Sequence, residues 1–168
     1  MKKAIKLTAL ALVSLGLSGT ALAQSVGADF TVSANVLPSC QISSPSIVFP
    51  EVSVLKAGQK VSSASSFQLN CTGAIPYAVK AMPLQNGTAT RAPMKKDGVE
   101  QSGFGATLYI DSAFTQVFGH DYGGKKITGT SVGGVETINF YAQALNSSSS
   151  KNIPEGNYVA EFDLVVTF

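Results

Sequence analysis

The chain has 168 residues, of which 13% are charged, with two cysteines, one histidine and no tryptophan. That length suits one domain of ordinary size, and an apolar fraction of 45% excludes wholesale disorder. The formal charge of +2 includes Lys2, Lys3 and Lys6; without them nine basic residues face ten acidic ones, a net charge of −1. A nearly neutral domain lacks the basic footprint of a nucleic-acid binder.

Residues 1–23 read MKKAIKLTALALVSLGLSGTALA: a lysine-bearing start, an apolar stretch from Leu7 to Leu17, then small residues ending in Ala21-Leu22-Ala23. This is the layout of a secretory signal peptide, and cleavage is expected after Ala23. The apolar run is too short for a comfortable bilayer span and is broken by Ser14 and Gly16. No later segment qualifies as a membrane helix, so the mature chain is expected to begin near Gln24, outside the cytoplasm, with no membrane insertion. In an oxidising compartment two cysteines in a small domain are most simply one disulfide, Cys40–Cys71. That bond would close a loop of about thirty residues, worth on the order of 3 kcal/mol in the chain-entropy account. No CxxC spacing supports a redox role.

From residue 26 the periodicity is two. Val26, Ala28, Phe30, Val32, Ala34 and Val36 share one face, and Gly27, Asp29, Thr31, Ser33 and Asn35 share the other. Unbroken alternation of this kind predicts a strand, because successive side chains in a strand point to opposite faces. Further strands are predicted over residues 46–49, 66–71, 77–82, 106–110, 137–144 and 157–168. The last carries Tyr158, Ala160, Phe162, Leu164, Val166 and Phe168 on its apolar face, and Val159, Glu161, Asp163, Val165 and Thr167 on the other. Turn-formers punctuate the strands at Asn86-Gly87, Asp97-Gly98, Gly123-Gly124, Gly133-Gly134 and Pro154-Glu155-Gly156. Residues 62–66 and 147–150, rich in serine, read as polar loops. Many short strands with regular turns point to an all-β chain folded as an antiparallel β-sandwich.

Catalytic signatures are missing. The sequence has no GxSxG elbow, no HExxH and no phosphate-cradling glycine loop. His120 lies in Phe118-Gly119-His120-Asp121, a predicted loop, without a nameable acid–base partner. Asp97/Glu100 and Glu161/Asp163 sit in a turn and on an exposed strand face, which does not suggest a glycosidase pair. Neither an enzyme nor a cofactor or metal is expected.

The two ends carry more information. The long apolar alternation of residues 158–168 runs to Phe168, and an open sheet edge presents backbone groups to any passing chain. At the front, residues 26–36 add an apolar strand ahead of the first cysteine. One strand too many at the front and an unfinished edge at the back suggest subunits that complete one another.

The motifs at these ends fit a known pattern. The alternating strand leads into Val36-Leu37-Pro38-Ser39-Cys40-Gln41-Ile42, and Phe67-Gln68-Leu69-Asn70-Cys71 supplies the partner cysteine. Leu108-Tyr109-Ile110-Asp111 is followed by Thr115-Gln116-Val117-Phe118-Gly119, and the chain closes with Gly156-Asn157-Tyr158 and Val165-Val166-Thr167-Phe168. In their order and spacing these motifs resemble the spore coat U-domain proteins, which include pilin subunits of archaic, Csu-type chaperone–usher pili. The resemblance extends over essentially the whole mature chain. It departs at Phe118, where a tryptophan is often seen.

The resemblance implies an immunoglobulin-like sandwich, incomplete and lacking its final strand, completed by a donor strand from a neighbouring subunit. A periplasmic chaperone would fill the groove first, and an outer-membrane usher would exchange it for the N-terminal strand of the next pilin. Carried onto this sequence, the donor is Val26, Ala28, Phe30, Val32, Ala34 and Val36. The groove and chaperone-pairing strand is the last one, with Tyr158, Phe162, Leu164, Val166 and Phe168. The expected organisation is a signal peptide over 1–23, a donor strand over 24–37 and an incomplete pilin domain over 38–168. The expected destination is a surface fimbrium supporting adhesion and biofilm formation. A secreted coat protein, or a self-contained secreted β-sandwich binding module, is the alternative.

Overall fold

The structure, a computed structural model, describes residues 31, 33–35, 37–51, 53–84, 90–119 and 123–168. The chain divides into Met1–Asn35 and Val36–Phe168. In the first unit Thr31, Ser33, Ala34 and Asn35 are exposed and lie in no strand, whereas the alternation predicts one there. Val26, Ala28, Phe30, Val32 and Val36 lie outside the described residues, as do Asn86, Gly87 and His120.

The second unit contains eight strands: β1 (Cys40–Ile42), β2 (Lys60–Cys71), β3 (Pro76–Pro83), β4 (Arg91–Lys96), β5 (Val99–Tyr109), β6 (Ile127–Thr130), β7 (Gly134–Asn146) and β8 (Phe162–Thr167). They form a five-stranded sheet in the order β1-β2-β7-β5-β4 and a three-stranded sheet in the order β6-β3-β8. Every ladder between these strands is antiparallel. Among the described residues there is no helix. The expected antiparallel sandwich is what the chain forms.

Alternation builds the core. The inner face of β2 presents Phe67 and Leu69, that of β7 Phe140 and Ala142, and that of β3 Val79 and Ala81, all buried. Phe67, Val79, Ala81, Leu108, Phe118, Phe140 and Ala142 join the two sheets in one cluster. Phe118 reaches it because the preceding loop folds back on itself. The Asp111 carboxylate accepts hydrogen bonds from the Thr115 amide and hydroxyl and from the Gln116 amide, and the Phe118 amide then donates to the Leu108 carbonyl at 2.8 Å. Desolvation raises the pKa of Asp111, but the hydrogen bonds from Gln116 and Thr115 outweigh it and hold the carboxyl below its ordinary value. The Phe118 ring packs edge-on to Phe140 at 6.2 Å.

Several local expectations need correction. Residues 62–66 are not a loop but the middle of β2. Their small polar side chains hide the alternation, because Ser63 and Ser65 face inward and spend their hydroxyls on the carbonyls of Val48 and Ser46. Residues 46–49 are correspondingly not a strand, since side chains rather than a backbone ladder hold them. The last strand starts at Phe162, not at residue 157, because Val159 first bridges to Lys95 in β4. β1, β4 and β6 have no counterpart among the predicted strands; each is short, and none alternates clearly in sequence. The predicted turn at Asp97-Gly98 does join β4 to β5. Both residues have positive φ, 53° and 80°, as a two-residue hairpin of the primed type requires.

Cys40 and Cys71 form the disulfide, directly opposite each other in the β1–β2 ladder with Cα atoms 4.1 Å apart. The bond pins β1, which otherwise has only three ladder residues, to the sheet. A Cys40→Ser/Cys71→Ser variant is expected to lose on the order of 3–4 kcal/mol. The urea midpoint reports this, and an unchanged midpoint would mean that β1 is held by other contacts.

Candidate functional site

β1 closes one end of the five-stranded sheet and β8 one end of the three-stranded sheet. Among the described residues β8 pairs only with β3, so its second edge has no ladder. The effect on burial is direct. Val79 and Ala81 of β3 are 0% and 1% exposed, while their register partners Val166 and Leu164, facing the same interior, are only half-buried.

Beside this edge lies a cleft of about 520 Å³. Its floor is the inner face of the large sheet: Met94 from β4, Ala106 and Leu108 from β5, Phe140 and Ala142 from β7. One wall is Ile42 of β1 and the segment after it, including Ile47 and Phe49; the other is residues 158–164. The first wall is fixed by β2. The Ser43 amide donates to the Gln68 carbonyl at 2.9 Å, and the Ser43 hydroxyl accepts from the Gln68 amide at 2.8 Å. The second wall is fixed at its start by reciprocal backbone bonds between Val159 and Lys95 and by Leu84 donating to the Glu161 carbonyl at 3.1 Å. Tyr158 is held by its hydroxyl donating to the Pro154 carbonyl at 2.9 Å and by an edge contact with Phe104 at 5.2 Å.

The lining is chemically plain. Two alanines on the floor, Ala106 and Ala142, leave space between larger neighbours, and apolar side chains dominate. Among the described residues no group of three His, Cys, Asp or Glu could hold a metal ion. An apolar cleft beside a strand edge suits a peptide strand: the edge supplies backbone bonds and the pockets take alternate side chains.

Of the residues singled out from sequence, Tyr158, Phe162 and Leu164 line the cleft. Val166 lies on the same inward row of β8, whereas Phe168 is 56% exposed beyond the strand. Ala34 is exposed outside any strand. Sequence reasoning missed the floor, Met94, Ala106, Leu108, Phe140 and Ala142, and the wall residue Ile42. Ala106, Leu108, Phe140 and Ala142 fall in predicted strands, but nothing in a strand pattern separates a residue under a cleft from one under a neighbouring strand, and Ile42 and Met94 lie in strands that no alternation marks. Residues 27–164 match the family model described as Spore Coat Protein U domain. No curated protein matches the chain.

Proposed function

The chain belongs to the spore coat protein U-domain family, and from that premise we propose that it is a structural pilin subunit of a chaperone–usher fimbria. Residues 1–23 serve as a cleaved export signal, and residues 24–37 act as the donor strand that enters the cleft of a neighbouring subunit. Val26, Ala28, Phe30, Val32, Ala34 and Val36 point into that cleft; Phe162, Leu164 and Val166 lie on the strand that receives the donor or the chaperone, and Tyr158 and Phe168 flank it on either side. The partners are neighbouring pilin subunits, a periplasmic chaperone and an outer-membrane usher. The fibre stands at the cell surface and supports adhesion and biofilm formation.

The observation that carries this reading is the half-burial of Leu164 and Val166 opposite fully buried partners, beside an apolar cleft of about 520 Å³. A finished sandwich would cover those side chains with one more strand. Deleting residues 24–36 is expected to give a subunit that no longer polymerises yet binds an added peptide of that sequence. A stable monomer indifferent to the peptide overturns the reading.

A further inference from the structure

The strands whose inward rows build the core present a second face by their outward rows. On the side of the larger sheet turned away from the smaller one, Tyr141 of β7 stands directly opposite Tyr109 of β5 and Ala64 of β2. Phe114, in the loop after β5, packs edge-on to both tyrosines, its ring centroid 5.4 Å from that of Tyr109 and 6.2 Å from that of Tyr141. All three residues are half-buried, so part of each ring stays open. Phe114 takes this place with a φ of 56°, in the left-handed region that a bulky side chain rarely adopts. Strain of this kind persists only where the surroundings impose it, and it gathers at binding sites. Here the Asp111 loop imposes it: the Asp111 carboxylate accepts from the Thr115 and Gln116 amides, and the Phe114 amide donates to the Asp111 carbonyl at 3.2 Å.

The rings are surrounded by polar but uncharged side chains. Ser62, Gln143 and Thr107 form the row on one side of the tyrosines, and Ser66 and Asn139 lie on the other. Asp111, two residues beyond Tyr109, and Arg91, opposite Thr107, border these rows, and both are engaged. Asp111 is held within its own loop, and the Arg91 guanidinium donates to the Ser147 hydroxyl and to the Gly103 and Leu145 carbonyls. Lys60 stands one row further out, opposite Leu145.

We propose that this face is a binding site for a neutral glycan, with Tyr109, Phe114 and Tyr141 as its aromatic platform. A pyranose ring carries polarised C–H bonds on its face and hydroxyls around its rim. The electron-rich face of an aromatic ring attracts the first. Thr107, the two tyrosine hydroxyls and the Gln143 carbonyl serve the second, the Gln143 amide nitrogen being oriented by its bond to the Ser62 hydroxyl at 3.2 Å. Ala64 and Ser62 are small, which leaves the β2 flank of Tyr141 open to a ligand as broad as a sugar ring. The uncharged surround offers an acidic sugar no partner for the hydration it would lose. Three rings divided by hydroxyl and amide groups do not make the dry apolar centre of a protein interface. The site lies on the opposite face of the sheet from the cleft, and it does not depend on strand acceptance there.

The test holds the full chain on a sensor surface and passes cellohexaose, maltohexaose and mannohexaose over it, with a hexamer of guluronate as the charged control. At least one neutral hexamer should bind, and its affinity should not change from low salt to about 1 M, because no ion pair is there to be screened. Tyr141→Ala should weaken binding about three- to tenfold. Phe114→Gly should weaken it as well, because glycine keeps the loop at positive φ without strain while the ring is lost. Thermal melting checks that each variant is folded, and Phe114→Gly decides if Tyr141→Ala is not. Binding of none of the neutral hexamers, equal binding of guluronate, or binding that neither variant weakens overturns the proposal. Displacement of the glycan by a peptide of residues 24–36 overturns it too, since that places the sugar in the cleft.

Discussion

Phe30→Asp in the full chain is expected to abolish fibre formation while leaving the sandwich folded and Cys40–Cys71 closed. Phe30 is the largest side chain of the proposed donor row. Its removal from an apolar pocket forfeits about 1.5–3 kcal/mol of burial. The carboxylate that replaces it would have to enter a cleft floored by Leu108, Phe140 and Ala142, none of which can hydrogen-bond or pair with a charge. Desolvating an unpaired charge adds several kcal/mol more. A combined loss above about 4 kcal/mol is roughly a thousandfold in association. Electron microscopy reads the fibres, and circular dichroism with a non-reducing gel reads the fold. Phe30→Leu, which keeps an apolar knob, should still assemble. Normal fibres from Phe30→Asp would remove Phe30 as the anchor.

The second large effect falls on stability. Phe140 is 2% exposed at the centre of β7, with its ring centroid 5.9 Å from Phe67 and 6.2 Å from Phe118. It belongs to the cluster that joins the sheets and also forms part of the cleft floor. Phe140→Ala deletes a buried ring that its neighbours can only partly replace, so a loss of about 3–5 kcal/mol is expected. For a chain of this size that lowers Tm by about 10–15 °C. The same substitution widens the floor of the cleft, so peptide binding should weaken even well below the new Tm. A Tm shift of only a degree or two would show that Phe140 is not central to the core.

These two substitutions share one surface. The side chains that hold the sheets together are the ones a docking strand would touch, so the cleft is part of the core. A sandwich with an open cleft of this kind gains stability from whatever binds it, because a ligand selective for the folded state shifts the unfolding equilibrium in its favour. Chaperone and donor strand would therefore act on stability as well as on assembly.

The sequence by itself determined what local physics encodes. Period-two patterning marked β3 and β7 as strands and the inward row of β8, because a strand side chain has only two faces to choose from. The Asp97-Gly98 turn was legible because positive φ at consecutive positions selects those residues. The cysteine pairing followed from there being two in a chain whose first residues read as an export signal. Tertiary structure alone decided the rest. The serine-rich middle of β2 is a strand because its hydroxyls bond a segment about fifteen to twenty residues away. Phe118 is interior because the Asp111 loop turns the chain back onto β5. The cleft exists because β8 ends its sheet, a property of strand order that no single segment carries. The low charge and the scarcity of histidine that first marked this chain fit that site. Its surface is made of ordinary core side chains, with two carboxylates at the rim, and becomes a site only through what the sheet leaves uncovered.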